Sequence, residues 1–121
     1  MKTILVVDDE RNLSLLYEQE LGEEGYRVIV ANNAKDAIDH IEKTPPDLVV
    51  MDIRMPGMDG IEAMGRILSR NNQMPIILNS AYSSYKDNFM SWSADAYVVK
   101  SSDLTELKRE IRRAFERREK A

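Results

Sequence analysis

A doubly wound α/β fold, with five parallel strands in the order 2-1-3-4-5 and helices on both faces, is the architecture this sequence predicts. Three observations carry it. Short aliphatic and β-branched runs recur five times, at roughly 3–7, 27–31, 47–52, 76–79 and 95–99, as buried parallel strands read. Segments of helical spacing alternate with them, and strict βα alternation winds helices onto both faces of a sheet. Right-handed crossovers leave few topologies. The order 2-1-3-4-5 sets strands one and three side by side at the switch point, where ligands bind at the carboxyl ends of strands.

Each element has its own signal. The first strand, Ile4-Leu5-Val6-Val7, runs straight into Asp8-Asp9-Glu10. Helix one follows, with Leu13, Leu16, Tyr17 and Leu21 spaced to share a face and Gly25 as a left-handed stop. Strand two leads to helix two, which carries Ala34, Ala37, Ile38 and Ile41 and ends before Pro45-Pro46. His40 on this helix reads as a surface residue. Strand three, Leu48-Val49-Val50-Met51, closes on Asp52. Met55, Met58 and Met64 read as loop contacts and core. Asp59-Gly60 reads as turn and helix-start chemistry, opening helix three with Ile61, Met64, Ile67 and Leu68. Met74-Pro75 leads into strand four, and Ser80 lies just past its end.

The span 82–92 has the poorest helical pattern, because serines and aromatics interrupt it. Tyr82, Tyr85, Phe89 and Trp92 there either face the core or form a partner surface. Strand five, Tyr97-Val98-Val99, closes on Lys100. Helix five carries Leu104, Leu107, Ile111 and Phe115, and Ser102 or Asp103 with Glu106 behind it resembles a capping signal. Its many Lys and Arg residues alternate with Glu, as on a solvated face held by short-range pairs.

With 121 residues, the chain reads as one domain over 1–121 with a single core and no effector domain. It contains no cysteine, so disulfides, thiolate catalysis and Cys-based zinc sites are excluded, as suits a reducing compartment. No apolar run approaches the ~20 residues of a membrane span, and the start is too short for a signal-peptide core. The expected location is the cytoplasm. A net charge of −4 gives no general attraction to nucleic acid or anionic membranes.

Asp8, Asp9 and Asp52 thus fall at strand ends in one crevice, with Lys100 closing a further strand. Two carboxylates about 4 Å apart repel by roughly 4 kcal/mol at an effective dielectric near 20, so three need a cation or a proton. With one His in the chain, a His-rich transition-metal site is implausible, and a hard, oxygen-liganded ion such as Mg²⁺ fits. Lys100 is placed to pair with Asp52 at rest and with phosphoryl oxygens later, and Ser80 adds a hydroxyl donor. These are the parts needed to transfer a phosphoryl group to an aspartate. A plainer reading has Asp8 and Asp9 simply capping helix one; the matching strand-end positions of Asp52 and Lys100 speak against it.

Val6-Val7-Asp8-Asp9-Glu10, Met51-Asp52-Ile53-Arg54-Met55-Pro56-Gly57-Met58-Asp59-Gly60, Asn79-Ser80-Ala81 and Tyr97-Val98-Val99-Lys100 together resemble the receiver domain of bacterial two-component response regulators, over essentially the whole chain. The resemblance implies a flavodoxin-like fold in which Asp52 accepts phosphate from a histidine kinase's phosphohistidine. It implies that Asp9 and Asp52 ligate Mg²⁺, with the backbone carbonyl of Arg54, and that Asp8 acts mostly through a bound water. Ser80 and Lys100 hold the phosphoryl oxygens, and Tyr97 is the aromatic switch residue that turns inward when Ser80 moves. Arg54 and Tyr82, two beyond Asp52 and Ser80, flank the path of the hydrolytic water and tune the signal's lifetime. The implied partners are a sensor histidine kinase or phosphotransfer protein and a downstream protein, with a phosphorylation-dependent dimer as a further state.

The chain departs from the family where Ser101 replaces the usual proline after Lys100, which removes the ordinary reason for a cis peptide bond there. It departs again at Trp92-Ser93-Ala94, where Ala-Gly-Ala is usual. Competing readings are a Mg²⁺-dependent phosphohydrolase with an aspartyl-phosphate intermediate and a degenerate receiver that only binds partners. Asp8-Asp9-Glu10 lacks the Asp-x-Asp spacing of haloacid-dehalogenase-like enzymes, and the intact acids, Ser80 and Lys100 argue against the degenerate form. A flavin-binding module would need a phosphate-binding loop after strand one, and none is present.

Overall fold

The computed structural model describes residues 1–83 and 93–120. Five parallel strands form one sheet in the order β2-β1-β3-β4-β5, where β1 is Thr3–Val7, β2 Arg27–Ala31, β3 Leu48–Met51, β4 Ile76–Ser80 and β5 Ala96–Val99. Helices α1 (Arg11–Glu23), α2 (Ala34–Lys43), α3 (Gly60–Arg70) and α4 (Thr105–Lys120) complete the described elements. The last is the helix expected as the fifth. The helix expected within 82–92 falls almost wholly outside the described residues, as do Tyr85, Phe89 and Trp92.

Strand alternation divides the core into two layers, because successive side chains point to opposite faces. Leu5, Val7, Val49, Met51, Ile76 and Leu78 pack with α2 and α3 through Ala37, Ile41, Met64 and Ile67. Ile4, Val6, Leu48, Val50, Ile77 and Val98 pack with α1 and α4 through Tyr17, Leu21, Leu107 and Ile111. Burial on both faces explains why the central strands β1, β3 and β4 read as continuous apolar runs; the edge strands β2 and β5 have one open edge and are mostly half-buried, less than expected. Met55 and Met64 are buried in the first layer and Met58 packs against it, as expected.

Strand ends differ slightly from expectation. β3 is one residue shorter at each end than 47–52, and β5 begins at Ala96. At the first of these the cause is local: the Asp52 Oδ1 accepts the N–H of Ile53 at 2.8 Å, which turns the chain out of the strand. β4 is longer, and Ser80 belongs to it, because the Lys100 N–H donates to the Ser80 carbonyl (2.7 Å).

The helix starts are built from side-chain oxygens. Asn33 caps α2 by accepting the N–H of Asp36, and Asp59 caps α3 by accepting that of Glu62. Asp8 and Asp9 do not cap α1; its first residue follows Glu10, which makes no side-chain cap bond. α4 starts at Thr105, later than Ser102 or Asp103, since the Asp103 Oδ1 takes both the N–H (2.9 Å) and the hydroxyl (2.6 Å) of Thr105. Gly25 has φ +94°, the left-handed stop expected after α1.

Two expectations are corrected. His40 is not a plain surface residue: it is half-buried, and its Nε2 is enclosed with no hydrogen-bond partner among the described residues. The basic residues of α4 make few local pairs. Arg113–Glu110 is local (3.1 Å), but Lys108 pairs with Glu20 of α1 (3.0 Å), Arg112 with Glu24 (3.7 Å) and Arg118 with Asp95 (3.1 Å). Sequence spacing shows which charges are neighbours on one helix, and cannot show which acids a packed neighbour presents. The Lys100–Ser101 bond is trans, as no described peptide bond is cis.

Candidate functional site

The switch point between β1 and β3 gathers the expected acids. Asp8 follows Val7 and Asp52 follows Met51, and those two strand residues pair directly in the sheet. One carboxylate oxygen from each of Asp8, Asp9 and Asp52 lies within 4.8 Å of the others. Asp8 is 1% exposed and Asp52 6%, whereas Asp9 stands open to solvent at the rim. Asp8 Oδ1 accepts the N–H of Glu10 at 2.9 Å, which holds the loop that carries Asp9.

Lys100 reaches this cluster from the end of β5. Its Nζ lies 2.8 Å from Asp8 Oδ2 and 3.2 Å from Asp52 Oδ2. Pairing with Asp52 at rest was expected; the closer contact with Asp8 was not. Burial pulls the Lys100 ammonium down, but the hydrogen bond to Asp8 and the charges of Asp52 and Asp8 outweigh it, and its pKa stands above the ordinary value. Burial is also the main influence on Asp52. It raises that carboxyl to about 6 against the lowering effect of Lys100, and the nearby Asp8 charge adds to the rise.

Ser80 ends β4 with its side chain buried, and its Oγ accepts the N–H of Tyr82 at 3.2 Å. Tyr97 is half-buried, packs against the α2–α3 layer, and donates its hydroxyl to the Tyr82 carbonyl at 2.5 Å. Tyr82 is therefore bonded to both expected switch residues through its backbone. Its ring is 47% exposed, and the Arg54 guanidinium stacks on it, 4.9 Å from the ring centroid. The two residues expected to flank the hydrolytic path touch each other, a cation–π contact that sequence separation hides.

The donor set fits Mg²⁺. All three side chains offer hard carboxylate oxygens. When all are ionised, three negative charges face one ammonium among the described residues, that of Lys100, which leaves two uncompensated there. A hydrated divalent cation held by Asp8, Asp9 and Asp52 would balance them.

Other features of the site are absent from the sequence reading. Gly60 is packed against the segment that follows β3: a Cβ there would lie 1.9 Å from the Asp52 carbonyl oxygen. Ser14 and Asn32 both direct side-chain donors at the Asp8 carbonyl, each at 3.3 Å. Asn79, beside Ser80, donates to the Tyr17 hydroxyl at 2.9 Å. The available signals were weak: a Ser between Leu13 and Leu15, and an Asn at the end of Ile76-Ile77-Leu78.

A doubly wound sheet that gathers three acids, a lysine and a hydroxyl at its carboxyl edge defines the class of α/β phosphoacceptor domains. The chain belongs to the response regulator receiver domain family, whose model matches residues 4–112. Among curated relatives, the regulatory protein AtoC of Escherichia coli (strain K12) is 36% identical over 115 residues, covering 93% of this chain and 25% of that protein. The chain spans a quarter to about half the length of the curated relatives it matches. The response regulator TrrA from Thermotoga maritima, solved in complex with Mg²⁺-BeF, superposes with a TM-score of 0.92 at 45% identity, covering 94% of this chain and 99% of that one. TrrA in complex with the histidine kinase ThkA superposes with a TM-score of 0.89 at 45% identity, covering 94% of this chain and 98% of that one. No helix among the described residues is long and apolar enough to cross a membrane.

Proposed function

We propose that residues 1–121 act as one receiver unit in the cytoplasm, in which Asp52 takes a phosphoryl group from the phosphohistidine of a sensor kinase or phosphotransfer protein. The observation that carries this reading is the placement of Asp52: buried at a strand end, beside Asp8 and Asp9, with its Oδ2 facing Lys100. The TrrA–ThkA complex supports a kinase as donor.

The residues divide the work as follows. Asp52 Oδ1 is held by the Ile53 N–H, which fixes the carboxylate plane, and the ionised carboxylate attacks phosphorus as the imidazole leaves. Lys100 shifts from Asp8 and Asp52 onto the phosphoryl oxygens, a charge-assisted contact. Ser80 accepts from Tyr82 at rest and keeps a hydroxyl proton to give to a phosphoryl oxygen. Asp8, Asp9, Asp52 and the Arg54 carbonyl are the proposed metal-holding groups. Bound Mg²⁺ supplies charge neutralisation of the acids and of the transferring phosphoryl group.

Intact mass after incubation with acetyl phosphate and Mg²⁺ tests the reading. One phosphoryl group per chain is expected, and none if the reading is wrong. Asp9→Ala, which removes the exposed ligand without opening the core, is expected to lose the Mg²⁺ dependence of labelling; an unchanged Mg²⁺ titration would exclude Asp9 from the metal site.

The movement of Ser80 toward a phosphoryl group breaks its bond with Tyr82 and so disturbs the carbonyl that holds Tyr97. This is the proposed switch, a shift between two populations, read by a downstream protein or a second copy of the chain. We further assign to the Arg54–Tyr82 stack a role in self-dephosphorylation, since two stacked bulky side chains offer no carboxylate or amide to orient a water. Slow loss of phosphate is expected, accelerated a few-fold in Arg54→Ala and in Tyr82→Ala. Chemical quench of the labelled protein measures it, and unchanged rates in both variants would remove the stack from the mechanism.

A further inference from the structure

We propose that Ser14 and Tyr17 of α1 are positioning residues that hold the two ends of the phosphoryl site in register. This rests on the reading of Asp52 as the phosphoacceptor.

The two residues lie three apart, and so on one face of the helix. Both are enclosed, Ser14 at 2% exposure and Tyr17 at 1%. At one end, the Ser14 hydroxyl lies 3.3 Å from the main-chain carbonyl of Asp8 and 3.2 Å from that of Glu10. At the other, the Tyr17 hydroxyl accepts from Asn79 Nδ2 at 2.9 Å. Asn79 immediately precedes Ser80, whose carbonyl accepts the Lys100 N–H. β1 and β4 are separated in the sheet by β3, which leads to Asp52. One turn of α1 therefore spans the site from the acid loop to the hydroxyl and lysine.

The other side chains by which α1 joins this layer, Leu13, Leu16 and Leu21 among them, are apolar. Apolar contacts are non-directional; close packing still resists large shifts of α1, and the Lys108–Glu20 pair ties it to α4. Hydrogen bonds are directional, and these two tie particular residues of α1 to particular strand ends. Stability gives little reason for the Tyr17–Asn79 pair, because replacing both partners of a buried hydrogen bond by apolar groups of the same shape is nearly neutral. A geometric role gives a reason. Displacement of a reacting group by about 1 Å can cost on the order of a hundredfold in rate.

The experiment uses Tyr17→Phe, Asn79→Leu, the double variant and Ser14→Ala. It reads thermal midpoint, the rate of phosphoryl uptake from acetyl phosphate with Mg²⁺, and the amide ¹H–¹⁵N shifts of Asp8, Ser80 and Lys100 without metal or phosphodonor. Each single change at the pair strands a buried polar group and should lower Tm by about 5 °C, and the double variant should recover most of that. The uptake rate should fall about tenfold or more in the double variant despite its recovered stability, with shifts at Ser80 and Lys100. Ser14→Ala should move the Asp8 amide and leave that of Ser80 in place.

A double variant with parental uptake and parental shifts overturns the proposal, as does a rate that merely follows Tm. Should the double variant not fold, Tyr17→Phe alone decides, since it removes one oxygen and leaves the ring; parental uptake and shifts in it would overturn the proposal. If the parent itself takes up no phosphoryl group, the reading of Asp52 fails. The amide shifts then still decide whether Ser14 and Tyr17 position the strand ends.

Discussion

Asp52→Asn is expected to take up no phosphoryl group from acetyl phosphate under conditions that label the parent, and in the absence of divalent metal it should be more stable than the parent. The first result follows from chemistry: an amide oxygen is far too poor a nucleophile to replace an ionised carboxylate, and Asp8 is held by Lys100 at 2.8 Å while Asp9 lies at the solvent-facing rim. Intact mass measures it; labelling at the parental rate on another residue would remove Asp52 from its role. The second result follows from the raised carboxyl. In the folded chain Asp52 titrates at about 6, against an ordinary value of 3.8, chiefly because it is buried.

Between those two pH values the folded chain binds more protons than the unfolded chain. Stability therefore falls as pH rises through the window, and the full cost of holding the ionised group is present above it. Asparagine removes that cost. The expected gain is about 3 kcal/mol near neutral pH, since Lys100 keeps Asp8 as a partner, and it should shrink toward zero below about pH 4. Urea unfolding across this range, in chelator, measures it. A variant less stable than the parent at neutral pH would mean that the Lys100–Asp52 attraction exceeds the cost of burial.

Gly60→Ala should destabilise the fold by about 3 kcal/mol and impair labelling with it. A Cβ at this position would lie 1.9 Å from the Asp52 carbonyl oxygen, 2.8 Å from its carbon and 2.9 Å from the Ile53 Cα. All three are backbone atoms, so no side chain can turn aside to make room. The Gly60 N–H also donates to the Ile53 carbonyl at 2.8 Å, which anchors the start of α3 to the segment that follows Asp52. Moving α3 outward would break that bond and should shift Asp52. Gly65, in the same helix, has nothing within 4 Å of its would-be Cβ. Gly65→Ala should therefore stabilise the chain by up to about 1 kcal/mol, the ordinary gain of Ala over Gly inside a helix. Opposite signs from the same substitution five residues apart are the expected signature; equal effects would mean that the close approach at Gly60 relaxes without cost.

The acids and the lysine were legible in the sequence because a charged residue that ends a buried apolar strand has few places to go. Val7-Asp8, Met51-Asp52 and Val99-Lys100 each mark a carboxyl end, and the alternation of strands and helices brings those ends to one edge. The helix start at Asp59 and the stop at Gly25 are local chemistry as well, set by residues within one turn. The charges of α4 were misread for the opposite reason. Their partners, Glu20, Glu24 and Asp95, lie far away in the chain, and intrahelical spacing carries no information about them.

By itself, then, the sequence determined the order of the elements, the two-sided burial of the central strands and the identity of the groups delivered to the crevice. Periodicity and strand-end position are properties of a short stretch of chain, and these features need nothing more. Only the tertiary structure decided that Lys100 lies closer to Asp8 than to Asp52, that Arg54 stacks on Tyr82, that Gly60 abuts the Asp52 backbone, and that Tyr17 reaches Asn79 across 62 positions of sequence. Each depends on which way a side chain points once two separate segments are packed, and that direction is set by sheet register and close-packed neighbours.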